Sequence, residues 1–192
     1  MGRFQKIKML RYKTMKEIEM DKIKKLARFT QKIKTEFLVG KTPMELIQSL
    51  KMKKVNIVID IRSWPENPVY FEPLKLQLLL IKNKIEYIQF QALGNPIVLR
   101  RQAGENYELA KELYQKYIIS APKAKDQFLE LYKKIRFKKI YCLICYCNTN
   151  DPRICHRFWL RESLINAKRI NLGFEGNFVL ERDIQPIFQE VN

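Results

Sequence analysis

The stretch Tyr141–Arg157, YCLICYCNTNDPRICHR, holds all four cysteines of the chain, Cys142, Cys145, Cys147 and Cys155, together with its only histidine, His156. Thiols and an imidazole are the side chains that ionise, attack and ligate near neutral pH, so the chemistry of the chain is concentrated here. Three chemistries fit. In a hydrolytic or transfer site, Asp60 would position or activate water, His156 would shuttle a proton, and Arg62 and Arg157 would hold phosphate with planar, bidentate donors. In a thiol site, Cys147 to Arg153 has the cysteine-five-arginine spacing of enzymes that cradle phosphate, though without a glycine in the loop. In a metal site, Cys145, Cys147, Cys155 and His156 are all competent zinc ligands. Their spacing lacks paired knuckles, and adjacent Cys155 and His156 need an awkward turn to reach one ion. The expectation is therefore a site without metal and without cofactor.

Each of these residues also has a plainer role. Strand cysteines are commonly small core residues, which is the assignment for Cys142. A lone histidine is commonly a satisfied polar group, and Asp60 with Arg62 could be a buried ion pair. Convergence favours function: strand ends and a helix start carry the histidine, three cysteines, an aspartate and two arginines.

The elements that must position these groups follow from pattern. Lys34–Val39, the β-branched run Val55–Ile61, Ile85–Phe90 and Lys139–Tyr146 read as strands, the second as one buried on both faces. Thr42-Pro43-Met44-Glu45 combines an N-cap, a proline at the first helical position and a capping-box glutamate, so a helix runs from Pro43 to about Leu50. A second helix opens at Pro73 with Leu74, Leu78 and Ile81 on one side. Ala110, Leu113, Tyr114, Tyr117 and Ile118 mark a third, Ala124, Phe128, Leu131, Tyr132 and Ile135 a fourth, and Ile154–Lys168 a fifth. Ser63–Pro73 and Gln91–Gly104 read as loops, and Phe178–Leu180 as a small edge strand. Alternating strands and helices predict an α/β fold, a parallel sheet with helices on both faces and a site at the C-terminal strand ends. Asp60, Arg62, Cys145 and Cys147 occupy those ends. Cys155 and His156 start the helix that follows, where free N–H groups favour an anion.

The chain has 192 residues and carries 37 Lys and Arg against 20 Asp and Glu, a net charge of +17. Residues 1–34 hold twelve basic and three acidic residues, so this segment alone contributes +9. It alternates basic and apolar positions and reads as a basic amphipathic helix or helix pair, with Lys22, Lys24, Lys25 and Arg28 as candidate nucleic-acid contacts. An acidic membrane surface is the competing partner, and the lysine enrichment of thermophiles is another source of such charge. No apolar run reaches the roughly 20 residues of a membrane span, and no secretory leader is recognisable. Clustered cysteines do not resemble a disulfide framework, which predicts a reducing, cytoplasmic setting.

Val58-Ile59-Asp60-Ile61-Arg62-Ser63, Pro65, Phe71, Ile85-Glu86-Tyr87, Leu93-Gly94, Leu143-Ile144-Cys145 and Cys155-His156-Arg157 together resemble the family called domain of unknown function 488, over about Lys34 to Lys168. The resemblance implies a Rossmann-like fold and a cleft built from the Asp-x-Arg and Cys-His-Arg motifs, but no activity. Two departures stand out. Asn95 replaces a second glycine common in relatives, and Cys147 stands where they often have an acid.

The expected architecture is a Rossmann-like three-layer sandwich with a mostly parallel sheet of about four or five strands, spanning residues 34–192 behind a basic helical extension over 1–33. The expected function is a small nucleic-acid-directed enzyme, hydrolytic on a nucleotide, base or glycosidic linkage. Asp60, His156 and Cys145 form the catalytic set, and Arg62, Cys155 and Arg157 the phosphate-binding set. The alternatives are a non-catalytic nucleic-acid-binding protein and a thiol- or metal-dependent enzyme on a small anion.

Overall fold

The computed structural model describes residues 3–63, 71–135, 138–147 and 149–174, with side chains from residue 15 onwards. The edge strand expected at Phe178–Leu180 lies outside them. Four strands, β1 (Ile33–Phe37), β2 (Ile57–Asp60), β3 (Glu86–Gln89) and β4 (Tyr141–Cys145), form one sheet in the order β1-β4-β2-β3. Every pairing is parallel, and β4 lies between β1 and β2 with Phe37 opposite Cys145 and Asp60 opposite Ile144. Strand β1 begins at Ile33, a residue assigned from sequence to the extension, and Ile33 already pairs with Tyr141.

Side chains alternate across the strands, and the two faces bury different helices. Val58, Cys142 and Ile144 pack with α2 (Pro43–Met52) and α3 (Pro73–Lys82). Ile57, Ile59, Tyr141, Leu143 and Cys145 pack with α5 (Tyr107–Ser120), α6 (Pro122–Lys134) and α7 (His156–Asn171), where Tyr114, Phe128, Trp159 and Leu160 fill the layer. The result is a Rossmann-like three-layer α/β sandwich. Cys142 is a core residue, and burial pushes its thiol pKa up to about 12.

Local chemistry sets the helix boundaries. Thr42 accepts from the Glu45 amide while the Glu45 carboxylate takes the Thr42 amide at 2.7 Å, closing the capping box that starts α2. In α3 the buried side chains are Leu76 and Leu80, whereas Leu74, Leu78 and Ile81 are exposed. This differs from the expected stripe because PLKLQLLLIK is apolar nearly all round, so periodicity alone selects no face. A further helix, α4 (Ile97–Ala103), interrupts the expected loop Gln91–Gly104.

Residues Arg3–Gln31 form a single helix, α1. Its end is anchored: Phe29 is buried, and Arg161 of α7 donates to the carbonyls of Ile33 at 2.8 Å and Thr30 at 3.3 Å. Toward the N-terminus Met15, Ile18, Met20 and Ile23 are exposed.

One topological fact positions the site. After β2 the chain passes to α3 on one face, and after β4 it passes to α7 on the other. Adjacent parallel strands whose connections leave in opposite directions open a crevice at their C-terminal ends.

Candidate functional site

That crevice is a cleft of about 630 Å³. Its walls come from Arg62 and Ser63 after β2, Asn95 and Arg100 around α4, Cys147 and Thr149 after β4, and His156 at the start of α7. Val39, Tyr146 and Ile154 complete the lining, and none of the described residues that line it carries a carboxylate.

The Arg62 wall is rigid. Asp60, fully buried, accepts from the Arg62 backbone amide at 3.1 Å, from Nε at 2.9 Å and 3.0 Å, and from Nη2 at 2.6 Å. Tyr87 of β3 donates to the same carboxylate at 2.9 Å. Burial and the adjacent Asp60 charge raise the Tyr87 pKa, so it stays protonated as a donor. With Nε and Nη2 held, Nη1 is the remaining guanidinium nitrogen, and it is buried without a partner among the described residues.

Opposite lies a cluster of sulfur and imidazole. Cys145 Sγ lies 3.2 Å from Cys155 Sγ and accepts from the Cys147 amide at 3.3 Å, and Cys147 Sγ lies 3.7 Å from His156 Nδ1. Arg157, with no exposed surface, donates from Nη1 to Cys145 at 3.1 Å and Cys155 at 3.0 Å, and from Nη2 to Asn150 at 3.0 Å. Trp159 holds the intervening loop by donating to the Pro152 carbonyl at 3.1 Å. Burial opposes ionisation of Cys145, but hydrogen bonds from Cys147 and Cys155 and the Arg157 charge outweigh it, so its pKa falls well below the ordinary 9.0. Hydrogen bonding to Cys145 in turn raises Cys147, to about 12, and Cys155 further. The cluster therefore favours one shared thiolate. Burial lowers the His156 pKa, against the pull of the Cys145 charge, and keeps the ring neutral. Its Nε2 has no hydrogen-bond partner among the described residues.

Residues expected to act together are thus brought together but divided by a wall. Arg62 and His156 face the cleft. Asp60 sits behind Arg62, while Cys145, Cys155 and Arg157 are sealed beneath Cys147 and His156, each with essentially no exposed surface. The phosphate-cradling thiol arrangement does not form: Arg153 is 77% exposed in its side chain and bonds Asp151 at 2.7 Å rather than turning toward Cys147. Arg100 had no sequence signal as a site residue, and Tyr87 and Asn95 entered only through the family resemblance, without a role in the site. A seven-residue helix between Pro96 and Gly104 gives too few turns for periodicity to register. On α1, Lys24, Lys25 and Arg28 are exposed, while Lys22 is half-buried with its ammonium 6.0 Å from the Phe174 ring.

The family model described as "Domain of unknown function DUF488" matches residues 42–164. The chain belongs to this family. The matched DUF488 region contains every cleft residue except Val39, and α1 lies outside it. No curated protein and no solved structure matches the chain. No helix of the described residues is long and apolar enough to cross a membrane.

Proposed function

We propose that this protein is an enzyme acting hydrolytically on a phosphate-bearing substrate of the nucleotide or nucleic-acid class, held in the cleft by Arg62 and Arg100. One observation carries the reading: Arg62 lines the cleft with a guanidinium whose Nε and Nη2 are fixed by Asp60 and whose Nη1 is buried without a partner among the described residues. A buried donor without an acceptor costs about 1–3 kcal/mol, more when charged, and an anionic oxygen in the cleft removes that cost. The fork geometry of arginine suits phosphate, and Asp60 with Tyr87 pre-orients it. Arg100, exposed at the cleft mouth, adds a second cation.

In this reading Asp60 is a positioning residue. His156 lines the same cleft and, as a neutral imidazole, offers the bound anion a hydrogen bond rather than a proton. The net charge of +17 and the exposed cations of α1 favour a polyanion as the larger substrate, with the cytoplasm as its setting.

The test is a binding and turnover panel of nucleoside phosphates, short single-stranded RNA and short single-stranded DNA. Binding should weaken about tenfold or more in Arg62→Lys and in Arg100→Ala, the first losing a charge-assisted contact of about 1.5–3 kcal/mol. Arg100 is exposed, so its variant folds irrespective of the Asp60 pair. Failure of every phosphate compound to bind at low salt, or equal affinity of both variants and the parent, would overturn the reading. Tight binding without release of product from any member would reduce it to non-catalytic recognition.

A further inference from the structure

We propose that Cys145, Cys147, Cys155 and His156 together hold one zinc-class divalent ion, a closed site that ties β4, the following loop and α7 into one wall of the cleft. This does not rest on the phosphate reading. The four candidate ligand atoms all lie within 4.8 Å of one another. For bond lengths of about 2.3 Å to sulfur and 2.0–2.1 Å to nitrogen, a tetrahedral ion needs ligand–ligand edges of about 3.5–3.8 Å. The Cys145–Cys155 separation of 3.2 Å is shorter than that range, the Cys147–His156 separation of 3.7 Å falls inside it and no pair exceeds 4.8 Å, so ligation asks for adjustments of up to about an ångström.

Neighbouring ligands were the obstacle on spacing grounds, and the backbone removes it. Cys155 is the extended residue that caps α7, with φ −104° and ψ 125°, and His156 is the first helical residue. The change of backbone conformation between them brings Cys155 Sγ to the strand end beside Cys145 and His156 Nδ1 to the loop beside Cys147.

Arg157 supplies an independent observation. Its guanidinium is sealed from solvent, and its recorded acceptors are two sulfurs, the Thr149 carbonyl and the Asn150 amide oxygen, none of them a carboxylate. A buried cation requires a counter-charge, which the metal-free cluster supplies through its single thiolate and a metal–thiolate set would preserve. A divalent ion bound by three thiolates and one neutral imidazole carries a single negative charge, which the guanidinium balances through its N–H···S bonds. Donors of this kind are what surrounds metal-bound thiolates. Sulfur-rich ligation selects zinc over the harder divalent cations. Binding releases the thiol protons to water, and coordination is completed by protein atoms, so the ion is structural rather than a source of activated water. With Nδ1 on the metal, His156 carries its proton on Nε2.

The test uses the full chain purified under reducing conditions without chelator. About one equivalent of zinc per chain is expected. Exchange for cobalt should give tetrahedral ligand-field bands with thiolate charge transfer. Cys147 is only part-buried, so Cys147→Ser should fold and bind zinc at least about tenfold more weakly. Cys142→Ala, altered on the other face of the sheet, should retain the metal. The proposal is overturned if the reduced protein binds neither zinc nor cobalt, if it carries a Cys145–Cys155 disulfide in place of metal, or if Cys142→Ala and Cys147→Ser lose zinc alike. Loss of phosphate binding in Arg62→Lys with zinc intact would separate the two sites.

Discussion

Gly94 lies against Ser63 so closely that a Cβ on the glycine would sit 2.1 Å from Ser63 Oγ, 2.5 Å from its backbone nitrogen and 2.8 Å from its Cα. Gln91 adds a hydrogen bond of 2.7 Å to the Ser63 carbonyl. The turn before α4 and the residue after Arg62 are therefore packed backbone to backbone, and this contact fixes two walls of the cleft relative to each other.

Gly94→Ala must displace one of those walls. Because two of the clashing atoms are backbone, side-chain rotation cannot relieve the overlap, and overpacking of this kind costs about 1–3 kcal/mol. Urea unfolding should show that loss, and phosphate affinity should fall with it as Ser63 carries Arg62 out of place. A variant as stable as the parent would show that the two walls yield freely.

How far this arrangement was readable beforehand depends on the residue. Strands β2 (IVID) and β4 (YCLIC) were legible as short apolar runs, β1 (IKTEF) and β3 (EYIQ) as mixed stretches bounded by turn residues, and the start of α2 because its cap is a local hydrogen-bond pattern. Arg62 and Cys147 were placed correctly at strand ends. What spacing could not say is which neighbours face water: Asp60 and Arg62, two residues apart, share a direction along a strand, yet one is enclosed by the other. Arg157 follows His156 directly but lies wholly beneath it. Exposure is decided by what packs above, here α4 and the loop before α7, and neither has a periodic signature.

Asp60→Ala should destabilise the fold rather than only slow a reaction. Removing one partner of a buried pair strands the other charge and costs about 3–5 kcal/mol. Tyr87→Phe, which removes one of the contacts that orient the carboxylate, should cost less, about 1.5–3 kcal/mol. Chemical denaturation of both variants gives the comparison. An Asp60→Ala protein of unchanged stability would mean that Arg62 finds another anchor.

Glu36 makes stability depend on pH in a defined direction. It is buried on β1, where Lys53 reaches it at 2.7 Å, Lys41 at 3.6 Å and the Phe37 amide at 3.1 Å, and where Ser49 also donates. Burial alone would raise its pKa, but the Lys53 and Ser49 hydrogen bonds outweigh it and hold the folded value below the ordinary 4.5. A depressed folded pKa contributes stability that is fully present above the unfolded value and is lost as pH falls through the folded one. Thermal midpoints measured from about pH 6 to about pH 3 should therefore drop less steeply for Glu36→Gln than for the parent. Identical slopes would remove Glu36 from the acid response.

The exposed cations of α1 should govern affinity for nucleic acid without governing the fold. Lys24, Lys25 and Arg28 are exposed, Lys25 pairs with Asp21 at 2.7 Å one turn earlier, and surface pairs of this type contribute little to stability. Replacing all three with alanine should change unfolding free energy by no more than about 0.5 kcal/mol per site. If each contacts a phosphate, the slope of log affinity against log salt for a duplex should become shallower by about 0.9 per residue, and for a single strand by about 0.7. Affinities for RNA and DNA measured from about 50 to about 200 mM salt supply that slope. A shift in affinity with no change in slope would place these residues away from the phosphates and leave recognition to the cleft alone.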